Sequence, residues 1–203
     1  MQIRLASQRD VDAVAETIAL AFSDDPVWGP ALSADDGSTG HLVPFWRYLV
    51  ENAVQHRTVF VQDGPSKRVA TVAVWLPSGV EELTDEQAGA VDALIAGVLS
   101  PADFAAYERL WGLFEEGHPH EPAHMYLSLL ATHPDDRGHG IGQQLVAENL
   151  ARWDAQGLPS YLESTNPAND HRDERAGFRP IGRFYAVLDD APVTRMWREP
   201  RPA

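Results

Sequence analysis

Cysteine is absent from the 203 residues, so disulfides, zinc thiolates and a cysteine nucleophile are all excluded. Lysine is nearly absent as well: Lys67 stands alone among 16 basic residues. Positive charge is scarce altogether, with 30 acidic residues giving a formal charge of −14. Nucleic acid and anionic membrane surfaces need basic patches and are not the expected partners. A cationic substrate is compatible with this balance, and solubility accounts for most of the charge. No run reaches the roughly eighteen apolar residues of a membrane span. The opening residues MQIRLASQRD carry no apolar signal core, so a cytoplasmic location is expected. What is present is a hydrophobic fraction of 44% and a length that suits one domain, residues 1–203.

Hydrophobic periodicity lays out the elements. Ile3–Leu5 reads as a strand and Arg9–Phe22 as an amphipathic helix capped by Ser7. Residues 27–40, rich in Gly, Pro, Ser and Asp, read as a loop, followed by a helix over Gly40–His56. Thr58–Gln62 and Arg68–Leu76 make a hairpin pattern around Asp63-Gly64-Pro65-Ser66. Thr84 with Gln87 forms a capping-box pattern before Ala88–Leu99, and Ser100-Pro101 opens a helix running to about Glu116. This pair, residues 84–116, reads as a helical insertion ahead of a strand at Ala123–Thr132. The helix Gly142–Gln156, the strand Pro159–Ser164 and the short helix Asn166–Ala176 follow. Ile181–Leu188 and Val193–Arg198 close the chain as an antiparallel pair. The irregular mixture predicts an α/β (α+β) fold with a mixed sheet.

One stretch carries chemistry. In LSLLATHPDDRGHGIG, Leu127–Gly142, a strand empties into glycines at 138, 140 and 142, and a helix begins at once. Such a turn lets backbone approach a ligand, and the first helical N–H groups point at it, so an anion such as pyrophosphate is expected. The Walker A pattern fails because Gln143-Gln144 follow the last glycine. The dinucleotide pattern fails because neither 143 nor 145 is glycine. R-x-x-G-x-G is filled by Arg137, Gly140 and Gly142.

That last pattern resembles the coenzyme A turn of the GNAT superfamily of N-acetyltransferases. The resemblance extends to Leu130-Ala131-Thr132-His133-Pro134 and to NPANDHRDERAGF, Asn166–Phe178, which is similar to the family's closing asparagine–helix–Gly-Phe motif. The layout is most similar to the puromycin-type small-molecule acetyltransferases. The resemblance implies the GNAT fold: a mixed, mostly antiparallel central sheet flanked by helices. It also implies transfer of an acetyl group from acetyl-CoA to a primary amine of a small molecule, by direct attack in a ternary complex. No metal is implied, and a monomer or homodimer is expected. A catalytically impaired coenzyme A-binding protein, or an acetyltransferase acting on protein amines, is the alternative.

Residue by residue, the resemblance puts pyrophosphate on the backbone of Arg137, Gly138, His139, Gly140, Ile141, Gly142 and Gln143. It lays pantetheine along Leu130, Ala131 and Thr132, with a strand bulge at Leu130 aiming an N–H at the thioester carbonyl. Asn166 or Asn169 would bond the pantetheine amides. Glu163, in YLES, is the expected base. The family's acidic tyrosine falls on Asp173, a departure that leaves the proton donor open among Asp173, Tyr126, Tyr161 and Tyr185. His124, Tyr126 and Ser128 form a polar stripe on one strand face. Asp24 and Asp25 are expected to cap and solvate, with attraction of a cationic amine as their other role. His118, His120, Glu121 and His124 lack the usual metal-ligand spacings.

Overall fold

The computed structural model describes residues 2–65 and 68–202; Ser66 of the expected hairpin turn and Lys67 lie outside the described residues. Strands β1 (Ile3–Leu5), β2 (Val59–Asp63), β3 (Val69–Pro77), β4 (Met125–Thr132), β5 (Ser160–Ser164), β6 (Arg179–Tyr185) and β7 (Pro192–Arg198) form one sheet. Its order is β1-β2-β3-β4-β5-β7-β6. Every neighbouring pair is antiparallel except β4 and β5. The helices are α1 (Val11–Phe22), α2 (Trp28–Ala31), α3 (Leu42–Ala53), α4 (Asp85–Ala96), α5 (Pro101–Gly117), α6 (Ile141–Asp154) and α7 (Pro167–Ala176). No described helix is long and apolar enough to cross a membrane.

The sheet is covered on both faces, which is why β3 is apolar almost throughout and buried from Val69 to Leu76. Val72, Val74 and Leu76 join the core under α1, α3, α4 and α5. Ala73 and Trp75 face Leu145, Leu150 and Trp153 of α6. Along β4 the alternation breaks. Met125 and Leu127 face α6, as expected of residues two apart, and Tyr126 faces the other core. Leu129 and Ala131 then join Tyr126's side, while Leu130 packs with the α6 side. The ladder to β3 explains the switch: Val74 pairs with Leu129 and Trp75 with Leu127, so Ser128 is an extra residue. A one-residue bulge reverses which face each later side chain occupies.

Local signals act as read at several helix ends. Thr84 and Gln87 bond reciprocally, at 3.0 and 3.3 Å, to start α4. Ser100 accepts the Asp103 N–H ahead of α5, and Gly177 ends α7 at φ 107°. Three expectations change. The 27–40 segment is not all loop: Asp25 Oδ1 accepts the N–H groups of Val27 and Trp28 and starts α2, whose Trp28 and Ala31 are buried. Gly29 and Pro30 hid this turn, since both are weak helix formers. The helix expected from Arg9 begins at Val11, behind a single 3₁₀ turn over Gln8–Asp10. The strand expected over Ile181–Leu188 runs instead over Arg179–Tyr185, and the Ala186 N–H closes a loop on the Ala191 carbonyl.

Candidate active site

Strands β4 and β5 share only three parallel pairs, Met125 with Ser160, Tyr126 with Tyr161 and Leu127 with Leu162. β4 then continues to Thr132 and β5 to Ser164 without each other. The split opens a cleft of about 600 Å³. On this side β4 presents an unpaired backbone edge, which an extended ligand can join as an added strand. The bulge sits at the fork. The resemblance put it at Leu130; the register puts it two residues earlier, at Ser128.

The glycine turn forms one end of the cleft. Gly138 and Gly140 have φ of 83° and 73°, a region L side chains rarely occupy. Gly142 is needed for a different reason: a Cβ there would stand 2.9 Å from Thr132 Oγ1. The first bond of α6 runs from the Gln144 N–H to the Gly140 carbonyl. The N–H groups of Ile141, Gly142 and Gln143 therefore lie ahead of the helical ladder and face an incoming anion. Arg137, Arg172 and Arg175 also line the cleft. The Arg137 guanidinium itself bonds the Ala21 carbonyl at 3.1 Å.

Of the residues expected to meet the cofactor, Leu130, Thr132, Arg137, Gly138, Gly140, Ile141, Gly142, Gln143, Asn166 and Asn169 all line the cleft. Two do not. Ala131 is turned into the main core by the bulge. His139 is exposed, its ring 3.2 Å from the Asp136 carbonyl. Asn166 Oδ1 accepts the Ala168 N–H and so caps α7. Asn169 Oδ1 accepts from Arg172 at 2.7 Å.

At the other end the carboxyl groups gather. Glu163, just past the last β4–β5 pair, has a side chain only 2% exposed. Its Oε1 accepts the Tyr161 hydroxyl at 2.5 Å and lies 3.8 Å from His118 Nδ1. Its Oε2 is buried with no partner. Glu82, between β3 and α4, accepts a hydrogen bond from Ser128 at the bulge. Desolvation pushes the Glu82 carboxyl up to about 7; Ser128 opposes this and Glu163 adds to it. Burial would lower His118, but the Glu163 bond and the negative charges of Glu163, Glu82 and Glu115 outweigh it and raise the imidazole.

Asp173 lines the cleft from α7. Desolvation, helped by Asp170, raises it to about 7. Asp170 pins that helix by accepting Ser164 Oγ at 2.6 Å and Thr194 Oγ1 at 3.3 Å. The tyrosine candidates separate. Burial holds Tyr126 and Tyr161 well above the ordinary phenol range, making both weak acids. Tyr185 is 55% exposed on the outer strand and does not line the cleft.

An aromatic wall faces the carboxyl groups. Trp28 stacks on Phe114 at 5.6 Å and meets Trp46 and Trp111 at 5.5 and 5.4 Å. Asp25 is a strut: Oδ1 caps α2 and Oδ2 accepts Thr165 Oγ1 at 2.7 Å. Asp24, also at the cleft, is exposed. His124 is a lock, its ring 2.8 Å from the Pro122 carbonyl and 3.0 Å from Ser78 Oγ. Among the described residues no group of three or more His, Asp or Glu is placed to hold a metal ion.

Comparison with known proteins bears on this arrangement. No protein-family model matches the chain. Solved structures match it over nearly its whole length. A Corynebacterium glutamicum protein named histone acetyltransferase HPA2 and related acetyltransferase is 22% identical, with a TM-score of 0.69, covering 100% of this chain and 97% of its own. Arylalkylamine N-acetyltransferase 2 from Aedes aegypti is 13% identical with a TM-score of 0.70, over 98% and 99%. The polyamine N-acetyltransferase of Drosophila melanogaster is 14% identical with a TM-score of 0.67, again over 98% and 99%. The chain has the GNAT fold.

Within this GNAT fold, what the sequence concealed is the carboxyl and aromatic end of the cleft. Glu82 lies on a short link with no motif around it, Trp28 falls in the segment read as a loop, and Trp46, Trp111 and Phe114 sit inside stretches read simply as helix. The one signal pointing toward them was the polar stripe ending at Ser128, whose hydroxyl meets Glu82.

Proposed function

We propose that the chain is an acetyl-CoA-dependent N-acetyltransferase that acylates the primary amine of a small molecule by direct attack in a ternary complex, in the cytoplasm. One observation carries this reading. A single cleft joins an anion-binding glycine turn and an unpaired strand edge to the carboxyl groups of Glu82 and Glu163 and a set of aromatic rings.

The residues present fit coenzyme A. The turn N–H groups and the arginines lining the cleft would take the pyrophosphate, and the β4 edge from Leu129 to Thr132 the pantetheine. Bound acetyl-CoA supplies an acetyl thioester as the acyl donor. Ser128, the extra residue at the fork, breaks the regular β4 ladder there, and a backbone N–H freed at such a bulge would suit a developing oxyanion. An amine arrives protonated near neutral pH, and a carboxylate of the Glu82–Glu163 pair removes a proton. Asp173, near 7, is matched to protonate a departing thiolate at neutral pH, which favours catalysis over a binding-only role. The names of the similar structures, arylalkylamine and polyamine N-acetyltransferases, support small amines as acceptors.

The test is free-thiol release from acetyl-CoA across a panel of arylalkylamines, diamines, polyamines and lysine peptides. Turnover of at least one small amine, well above the hydrolytic background, is expected. No turnover of any amine alongside tight coenzyme A binding would make the protein a coenzyme A binder, and turnover of peptides alone would overturn the small-molecule assignment.

A further inference from the structure

The two carboxyl groups of the acceptor end differ in their surroundings, and the difference divides the work between them. Glu163 lines the cleft; its Oε1 is occupied by the Tyr161 hydroxyl, while Oε2 is buried and unpartnered. A buried polar oxygen without a partner is costly unless something fills it. An ammonium, with three N–H donors, suits it. Glu82 is placed otherwise. The Ser128 hydroxyl holds it at the bulge, beside the strand edge where the acyl group would lie. Its link is fixed from both sides: Asn52 Nδ2 donates to the Glu81 carbonyl at 2.7 Å, and the Thr84–Gln87 box closes the far end.

We infer that Glu163 seats the acceptor's ammonium group on Oε2, and that Glu82 is the catalytic residue that takes its proton. The inference rests on the proposed acetyltransferase reading and deepens it. R–NH₃⁺ gives one proton to the Glu82 carboxylate. The freed lone pair forms the N–C bond to the acetyl carbon, and the C–S bond breaks with its electron pair on sulfur. Asp173 protonates that sulfur and recovers the second proton that the amide nitrogen sheds, while Glu82 returns the first to solvent. The groups facing Glu82 are Glu163 on β5, Glu115 on α5, His118 after it, and Tyr126 with Ser128 on β4. Desolvation leads these influences and places the carboxyl near 7, the range in which a base both accepts a proton and sheds it again. Beyond the carboxyl pair the cleft offers Trp28, Trp111 and Phe114. These rings suit an amine with an aromatic or apolar body.

The experiment pairs kinetics with binding. In the pH profile of kcat/KM for the best amine, the wild type rises on an acidic limb near 7. Glu82→Gln loses about 10²- to 10³-fold and the limb disappears. Ser128→Ala keeps the limb but moves it to higher pH, because the bond that lowers Glu82 is gone. Glu163→Gln raises KM for the amine by about tenfold or more, with a smaller change in kcat. Independently of turnover, calorimetry with 2-phenylethylamine in buffers of different ionisation enthalpy reads proton exchange on binding. Wild type and Glu82→Gln bind alike, but only the wild type exchanges a fraction of a proton; Glu163→Gln binds at least about tenfold more weakly. Glu82→Gln melts no lower than the wild type, since it removes a buried ionisable group. An unchanged limb in Glu82→Gln, or wild-type amine binding by Glu163→Gln, overturns this division while leaving acetyl transfer standing. No acetylation of any amine overturns the reading beneath it, and this inference with it.

Discussion

Leu127 pairs with Leu162, and no residue beyond either of them continues the parallel ladder. β4 runs on for five residues to Thr132 with one edge free of β5, and the bulge residue Ser128 is the first of them. A free strand edge inside a sheet exchanges its amide hydrogens readily until something covers it. Coenzyme A is expected to slow exchange at both Leu129–Thr132 and Gly138–Gln143. Adenosine diphosphate, which lacks pantetheine, should protect the turn alone. Hydrogen exchange read by mass spectrometry checks this, and equal protection by both ligands would remove the strand edge from the binding site.

Gly142 touches the same question from the turn. Its missing Cβ leaves room for Thr132 Oγ1, which is 3.1 Å from Thr71 Oγ1 and helps tie β4 to β3. Gly142→Val must displace Thr132 or tilt the start of α6, and either moves the N–H groups of the turn. The expected result is a KM for acetyl-CoA raised by about 10- to 100-fold, roughly 1.4–2.8 kcal/mol, with the KM for the amine little changed. Steady-state kinetics with each substrate varied in turn would show it.

Asp173 gives a prediction for activity and one of opposite sign for stability. As the proton donor it must be protonated, so activity should fall as pH rises through about 7, and Asp173→Asn should remove that alkaline limb and lower kcat. The folded carboxyl keeps its proton to about 7 while the unfolded one releases it near 3.8. Between those values the folded state binds more protons, so this group's contribution declines as pH rises and is fully unfavourable above 7. Asp173→Asn should therefore be more stable than the wild type above pH 7, by about 1–2 kcal/mol, and no different below pH 4. Thermal melts at pH 4 and pH 8 separate the cases.

Trp75 and Asn149 test the packing behind the site. The Trp75 indole N–H donates to Asn149 Oδ1 at 2.9 Å, and both residues are fully buried between β3 and α6. Trp75→Phe orphans that oxygen and leaves a void, at a cost of about 2–4 kcal/mol. Adding Asn149→Leu should recover part of the loss, because the polar atom goes with its partner. Urea midpoints of the single and double variants would decide it.

Much of this protein was legible without coordinates, and the reason is locality. The capping box at Thr84–Gln87, the Ser100-Pro101 start and the C-terminal Gly177 each act within one helical turn, so residue types near each other in the chain were enough. The glycine turn was legible for the same reason: its function is a backbone shape over a few consecutive residues. The bulge was displaced by two residues and the outer strand by two or three because register is settled between strands, not within one. Asp173 could be named from its motif, but the upward shift of its carboxyl comes from desolvation at the cleft and from Asp170, neither of which the motif shows.

The sequence by itself determined the glycine turn, the helix boundaries around it and the order of elements that gives the GNAT fold, since each depends on short-range backbone preferences and hydrophobic period. Tertiary structure alone decided the carboxyl end of the cleft. Glu82, Ser128, Glu163 and His118 come from four separate segments, and the sheet's fork and the α4–α5 pair bring them into one desolvated space. Desolvation is a property of everything packed around a group, so no stretch of chain encodes it.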